Sequence, residues 1–406
     1  MRWGLAACGV VLVAAGVLAA GALLHHFRGI PHHTTTAPPI TTSGPTPQKP
    51  NESLPWPTYG ADNTRTRAVT VPGLRPPFRK LWTYYGHTLL ELPPVAGYGL
   101  LYEESFDGRV HALDPKTGTS QWGYYSHRCG WASPALGGGL VFATFMGTSN
   151  CAQAKLSGGL LVALDARTGR IRWRRHIDDS ESSPLLAHGT LYFGDTDGRV
   201  FAYSAAAGKE LWSYDTGAPV KGSPVFAHGR LFIGNYGGTF YALDAHTGHQ
   251  IWHTGGHGNF YAGASVVDGR VYVGSIDGHV YAFSARTGTQ IWSPFGTGGY
   301  VYASTAVWRG IVLVGSYDHN FYAINGASGT ERWSFPAGGP ISGAASVIDG
   351  IVYFSTLGHP GKTYAVNANT GRLVEKWHDG DYSPAIAAYG RLFLIGLGRI
   401  YALEPR

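Results

Sequence analysis

The stretch Gly222-Ser-Pro-Val-Phe-Ala-His-Gly-Arg-Leu-Phe-Ile-Gly-Asn-Tyr-Gly-Gly-Thr-Phe-Tyr-Ala-Leu-Asp-Ala-His-Thr-Gly-His-Gln-Ile-Trp252 decides the fold. Short apolar runs alternate with turn residues, so it reads as four strands: Pro224–Ala227, Arg230–Gly234, Thr239–Asp244 and Gln250–Trp252. His228-Gly229, Gly237-Gly238 and Thr247-Gly248 close the three hairpins, where glycine supplies positive φ. The next unit repeats the pattern: Val271 to Ser275, Asp277-Gly278, Tyr281-Ala282-Phe283, Thr287-Gly288 and Ile291-Trp292. Tryptophans mark the period at Trp82, Trp122, Trp173, Trp212, Trp252, Trp292, Trp333 and Trp377. A spacing near 40 residues with four strands per unit is a propeller blade. Eight tryptophans predict an all-β, eight-bladed propeller, with each tryptophan docked between adjacent sheets.

The last unit has three strands: Ser383–Ala388, Arg391–Ile395 and Arg399–Leu403. Its missing outer strand is supplied by Phe78–Trp82, which closes the ring and covers an open sheet edge. Composition agrees. Glycine numbers 59, aromatics are 13% and charged residues 14%. That excludes disorder over most of the chain, and it excludes helical bundles and coiled coils.

The net charge of +6 is local. Residues 1–80 hold eight Lys/Arg against two Asp/Glu, and the remainder is balanced. No nucleic-acid partner is expected, because no basic surface belongs to the folded part. Residues 3–24 form an uncharged apolar run behind Arg2, long enough for a ~30 Å hydrocarbon core. Its length favours a retained transmembrane anchor, although Ala20-Gly21-Ala22 offers a cleavage site. Residues 29–57 are rich in proline and threonine and read as an extended spacer. The expected organisation is an anchor or signal segment over 1–28, a linker over 29–57 and the propeller over 58–406. The propeller then lies outside the cytoplasm, on the periplasmic side or at the cell surface.

The recurrent Tyr-Ala-Leu-Asp-x-x-Thr-Gly-x-x-x-Trp pattern resembles the tryptophan-docking repeat of PQQ-like propellers. That group is similar to both quinoprotein dehydrogenases and propeller-type outer-membrane assembly lipoproteins. Trp56, Tyr59, Asp62 and Arg65 resemble the N-terminal lead-in of the quinoprotein members. The resemblance implies the fold more strongly than a function, since such scaffolds carry many roles.

The repeat accounts for nearly every Trp, Gly and Asp. What it leaves over is aromatic, histidine-rich and basic, and it concentrates in the blade-to-blade loops. Tyr85, His87, Tyr125, His127, Trp131, His257, Tyr261, Tyr300 and Tyr382 therefore define a candidate binding face for a protein, peptide or glycan. Cys129 and Cys151 lie at the same end of one blade, the second within the insert that lengthens one tryptophan interval to 51 residues. In an exported chain they are expected to form a disulfide, with Cys8 left out.

The competing reading is a PQQ- and Ca²⁺-dependent dehydrogenase of alcohols or sugars. The resemblance implies that such a member stacks PQQ on a disulfide of adjacent cysteines, and no adjacent pair exists here. It also implies a Glu, Asn and Asp set for Ca²⁺. Asp107, Asp195, Asp197, Asn235, Asp277 and Asp318 are candidates, but no spacing selects among them. Asp195-Thr196-Asp197-Gly198 lacks the later ligands of a calcium loop and reads as a turn. The expectation is a binding module without catalytic residues, metal or cofactor.

Overall fold

The computed structural model describes residues 54–86, 88–148, 151, 158–256, 258–358 and 361–406. The expected N-terminal helix and most of the linker lie outside these. Among the described residues there are strands and turns but no helix.

Eight sheets are present among the described residues, one per repeat, and each is antiparallel within its own unit. In the blade whose sequence was quoted above the strands are Val225–Ala227, Arg230–Gly234, Phe240–Asp244 and Gln250–Thr254. Blades are numbered by their inner strands: blade 1 at Val95–Gly97, blade 2 at Ala135–Gly137 and blade 3 at Leu185–Ala187. Blade 4 begins at Val225–Ala227, blade 5 at Ser265–Val267, blade 6 at Ala306–Trp308, blade 7 at Ser346–Ile348 and blade 8 at Ile386–Ala388. Phe78–Tyr85 pairs with Arg399–Pro405 as the outer strand of blade 8, so the two ends of the described chain share one blade.

Each recurrent letter of the repeat has a physical task. Trp252 sits opposite Ala242, and a register shift at the bulged Ile251 turns the indole toward the neighbouring blade. A small residue is needed there because the ring covers it. The indole Nε1 donates to the Ala285 carbonyl of blade 5 at 3.1 Å. The same bond recurs from Trp82 to Pro115, Trp122 to Ala166, Trp173 to Ala205, Trp212 to Ala245, Trp292 to Gly326 and Trp333 to Ala368. Asp244 accepts from the Thr247 N–H and hydroxyl, which builds the turn that receives the preceding tryptophan. Trp377 is received by no such turn in blade 8 among the described residues. It packs against Phe78 and Tyr353 instead, with ring centroids at 6.2 and 6.3 Å.

The turn glycine is demanded twice over. Gly248 has φ +75°, and a Cβ there would lie 2.7 Å from the Trp212 ring. Gly248→Ala is expected to cost about 2–5 kcal/mol from left-handed strain plus displacement of the indole. Chemical denaturation of the variant checks this, and a loss under about 1 kcal/mol would contradict the docking account.

At one end of the ring the lead-in runs around the axis, and its carbonyls accept from the inner strands. Trp56 pairs with Ala96, Pro57 O accepts from Leu136, and Asn63 O accepts from Phe226. Thr64, Thr66 and Arg67 carbonyls serve Val266, Val307 and Val347 in turn. Between Pro57 and Asn63 the chain turns inward, which places Tyr59 on the axis as a floor. Arg65 and Arg67 lie beneath it, fully buried. Arg65 donates to the Pro224, Tyr59 and Ser183 carbonyls, and Arg67 donates to those of Arg65 and Thr305. Their guanidinium groups stack on Tyr59, with the Arg67 carbon 4.6 Å from the ring centroid.

Candidate functional site

The loops joining blades and the loops between second and third strands meet at the other end of the ring. Tyr236 N–H donates to Pro219 O, Tyr317 to Tyr300 and Leu357 to Pro340. These bonds fix the residue four positions before each inner strand so that it faces the axis. The eight are Glu91, Trp131, Glu181, Lys221, Tyr261, Tyr302, Ser342 and Tyr382, and all of them line one central cup above Tyr59. The scaffold is repetitive there, while the side chains are of five types: three Tyr, two Glu, and one each of Trp, Lys and Ser.

Neighbours in this ring pair with one another. Lys221 Nζ lies 2.9 Å from Glu181 Oε1. Tyr382 hydrogen-bonds Glu91, while the Ser383 hydroxyl donates to the Glu91 carbonyl. Tyr261 and Tyr302 meet edge to face at 5.4 Å. A second tier comes from the loops above: Phe106 is 5.2 Å from Trp131, Tyr236 is 6.2 Å from Tyr261, and Tyr317 is 4.9 Å from Tyr302. Lys221 Nζ also lies 5.5 Å from the Tyr236 ring centroid.

The electrostatics follow from exclusion of water. Burial pushes the Glu91 carboxyl up to about 7, against the Tyr382 hydrogen bond that lowers it. Burial likewise holds the Tyr261 and Tyr382 hydroxyls well above their ordinary value, so both are neutral donors. The cup thus offers hydroxyls, stacking faces, one ion pair and one carboxyl that titrates near neutrality. This set suits recognition of a polar group.

Of the residues singled out in the sequence, Trp131, Tyr261 and Tyr382 come together in the ring. Tyr300 stands exposed beside them, 6.0 Å from Tyr302. Tyr85 and Tyr125 lie elsewhere, at the ends of outer strands. Arg399 covers the Tyr85 ring and Arg109 the Tyr125 ring, at 5.2 and 4.3 Å. His127 packs on Tyr125 at 4.0 Å. His87 and His257 lie outside the described residues. Glu91, Glu181, Lys221 and Ser342 are not marked by residue type in the sequence, and Tyr302 stands beside the Tyr300 singled out there. Superposing the units on their inner strands picks them out, since they share one repeat position.

Cys129 and Cys151 are joined by a disulfide that closes a 22-residue separation. It ties the blade 2 insert to the loop carrying Trp131. Loss of the bond in Cys151→Ser is expected to lower stability by about 3 kcal/mol in the chain-entropy model. Matched melts of the oxidised protein and the variant check this; identical midpoints would show that the bond constrains nothing.

Blade 1 departs from the repeat at the end of its second strand. Blades 3 to 6 have an apolar residue and then Gly194, Gly234, Gly274 or Gly315 there. Blade 1 has Glu103 and Glu104, both buried. Gly130 makes room, since a Cβ on it would sit 2.7 Å from Glu104 Oε1. Tyr84 donates to Glu103 at 3.3 Å. Burial pushes Glu103 up to about 8, holds Glu104 well above its ordinary value, and raises Asp381, beside the ring, to about 7.

An eight-sheet ring with docked tryptophans and a lead-in floor defines the class of PQQ-like repeat propellers. The family model described as PQQ_2, outer membrane protein assembly factor BamB, matches residues 106–222, 196–304 and 296–406, and the chain belongs to this family. BamB of Burkholderia pseudomallei is 26% identical over 169 residues, covering 38% of this chain and 43% of that protein. Quinohemoprotein alcohol dehydrogenase of Comamonas testosteroni is 28% identical over 186 residues, covering 39% and 25%. The chain therefore spans less than half the length of these curated relatives. The solved structure of BamB from Moraxella catarrhalis superposes with TM-score 0.68 at 18% identity, covering 81% of this chain and 100% of that one. That of the Comamonas dehydrogenase gives 0.70 at 16%, covering 87% and 81%. These likenesses establish the fold.

PQQ and Ca²⁺, which the quinoprotein likeness implies, do not fit the residues present. The cup encloses only about 50 Å³. Its two carboxylates are engaged, Glu91 with Tyr382 and Glu181 with Lys221. The loop acids hold their own hairpins: Asp277 accepts from His279 N–H and the Tyr281 hydroxyl, and Asp318 from Asn320 N–H and the Tyr322 hydroxyl. Asn235 Oδ1 accepts from the Gly237 and Thr239 N–H groups. Among the described residues no three His, Cys, Asp or Glu side chains gather as a metal site.

Proposed function

We propose that this protein is a membrane-tethered, extracytoplasmic binding or scaffold module for a protein, peptide or glycan of the cell envelope. The observation that carries the reading is the ring at Glu91, Trp131, Glu181, Lys221, Tyr261, Tyr302, Ser342 and Tyr382. One repeat position, held by a common backbone, displays three tyrosines, a tryptophan, a serine, two glutamates and a lysine at the mouth of the ring. Aromatic and charged anchors of this kind dominate binding hot spots. The BamB relatives support a scaffold role in assembly of envelope proteins. The apolar run at 3–24 and the Pro/Thr-rich spacer support tethering outside the cytoplasm.

The test is cross-linked capture from the native envelope with the full chain, comparing it with Tyr261→Ala/Tyr300→Ala. Truncating two hot-spot aromatics is expected to weaken the partner at least ~30-fold, which is about 2 kcal/mol, in a variant that still melts cooperatively. A stoichiometric PQQ–Ca²⁺ complex that oxidises an alcohol would overturn the reading in favour of the dehydrogenase.

A further inference from the structure

The cup holds one cation and has the fittings for a second. On one side Lys221 Nζ lies 2.9 Å from Glu181 Oε1 and 5.5 Å from the Tyr236 ring centroid. An ammonium group thus rests between a carboxylate and an aromatic ring. On the other side Glu91 has similar surroundings without the cation. Tyr382 hydrogen-bonds it, and the Tyr261 and Tyr317 hydroxyls lie within range of its charge. Tyr261 and Tyr317 both meet Tyr302, so the rings continue around the cup. Among the described residues no Lys or Arg makes an ion pair with Glu91, and Lys221, which acts on it from a distance, is paired with Glu181.

The Tyr382 hydroxyl satisfies Glu91 as a donor but carries no charge to balance it. A carboxylate withdrawn from water without a cation is costly, and a cation brought beside it offsets that cost. The charge around the cup has the same sign. Asp178, Asp179, Asp195 and Asp197 stand beyond Glu181 in the mouth loops, where Arg199 is shared between Asp178 and Asp195. Asp381, next to Tyr382, is buried with its Oδ1 unpartnered. Glu91, Tyr261, Tyr302 and Tyr382 remain partly exposed, so the cup is open to solvent. Its space of about 50 Å³ takes the head of one side chain and not a folded loop. One unbalanced carboxylate among aromatic rings suits a monovalent organic cation, whereas a divalent metal ion asks for several oxygens at once.

We infer that the cup receives the cationic head of a lysine or arginine side chain, which sits against Glu91 among the Tyr261, Tyr302 and Tyr382 rings as Lys221 sits against Glu181 beside Tyr236. That head belongs to the partner proposed above, on the reading of the ring as a binding site. An ammonium or guanidinium group gains the carboxylate and the rings together. Glycan hydroxyls would leave the Glu91 charge unbalanced. Ionised Glu91 is the binding form, and burial places its titration at about 7. Glu181, Lys221, Tyr261, Tyr317 and Tyr382 face it. Burial keeps the three tyrosines neutral, while for Lys221 burial works against its charge and Glu181 outweighs it. Apparent affinity therefore rises about tenfold from pH 6 to pH 8, following the competent fraction.

The test uses the full chain with acetylated, amidated Gly-Arg-Gly and Gly-Lys-Gly peptides as probes, followed by NMR. Citrulline and norleucine serve as their uncharged replacements. Saturable shifts are expected at the Trp131 indole and the Tyr261 amide with the charged probes and not with the replacements. Glu91→Gln keeps an acceptor for Tyr382 and removes the charge. It is expected to weaken the charged probes about tenfold at pH 8, ~1.4 kcal/mol, in a variant that still melts cooperatively. It is also expected to abolish the rise between pH 6 and 8, although Asp381 remains. No saturable shift with the charged probes, equal binding of the replacements, or unaltered binding by Glu91→Gln would overturn the inference. A partner captured from the envelope in spite of that result would keep the wider reading and lose this one. Charged probes that bind as expected while no partner is captured would support this one and count against the wider reading.

Discussion

A variant lacking residues 56–85 is expected to lose the cooperative melt of the propeller altogether. Three contributions vanish together. Blade 8 loses the strand paired along Arg399–Pro405, which exposes a sheet edge. Trp82 no longer caps Gly118 and donates to Pro115. Six inner strands lose their axial acceptors, and each stranded N–H costs about 1–3 kcal/mol where water cannot replace the partner. The sum exceeds the roughly 5–15 kcal/mol stability of an ordinary folded protein. Single changes grade the effect. Trp82→Ala is expected to cost about 3–5 kcal/mol, as for other large core truncations. Calorimetry decides the matter, and a truncated chain melting within a few degrees of the full one would refute shared closure.

Stability is also expected to rise as pH falls from 8 to 5.5. Glu103, Glu104, Glu91 and Asp381 are all held by burial above the usual carboxylate range in the folded protein, three of them at about 7 to 8. In the unfolded chain they titrate near pH 4, so between about pH 4 and 8 the folded state binds more protons. Stability from these groups is present at low pH and drains away as pH rises through 7 and 8. Each tenfold gain in proton affinity on folding is worth about 1.4 kcal/mol, so Glu103 alone accounts for roughly a few kcal/mol at alkaline pH. Denaturant titrations at pH 5.5, 7 and 8.5 measure the slope. Glu103→Gln is expected to flatten it above pH 7, and a wild-type curve rising toward pH 8 would contradict the account. Proteins whose buried carboxylates are paired with cations show the opposite slope.

Much of the fold was legible because the repeat states each requirement many times. Trp252, Ala242, Asp244 and Gly248 recur with the same neighbours, so a local pattern already encodes a contact between blades. The expected strands of blades 4 and 8 differ from the observed ones by only a few residues at their ends. The lead-in was not legible in the same way. Residues 56–69 occur once, and Arg65 and Arg67 adopt φ of 52° and 55°, conformations no period announces. No repeat marks the two arginines as buried, whereas here backbone carbonyls and the Tyr59 face enclose them. The cup was half legible. Trp131, Tyr261 and Tyr382 stand out by residue type. Glu91, Glu181 and Lys221 look like ordinary loop charges until their position is counted from the inner strand. Glu103 and Glu104 are hidden for the same reason, since two adjacent glutamates look exposed unless the glycines of the other blades are set beside them.

The closing strand also sets the order of events in making the protein. Phe78 is translated long before Arg406, which donates to its carbonyl across 328 residues of chain. Blades 1 to 7 can form as they emerge, each stacking on the last. The strand Phe78–Tyr85, with its tryptophan, stays unpaired until Arg399–Pro405 arrives. Closure is therefore the last and slowest step, because the entropy of the longest loop falls on it. A chain stalled before residue 399 would display a row of unpaired strand groups and an undocked indole, the kind of surface that other unfinished copies would pair with.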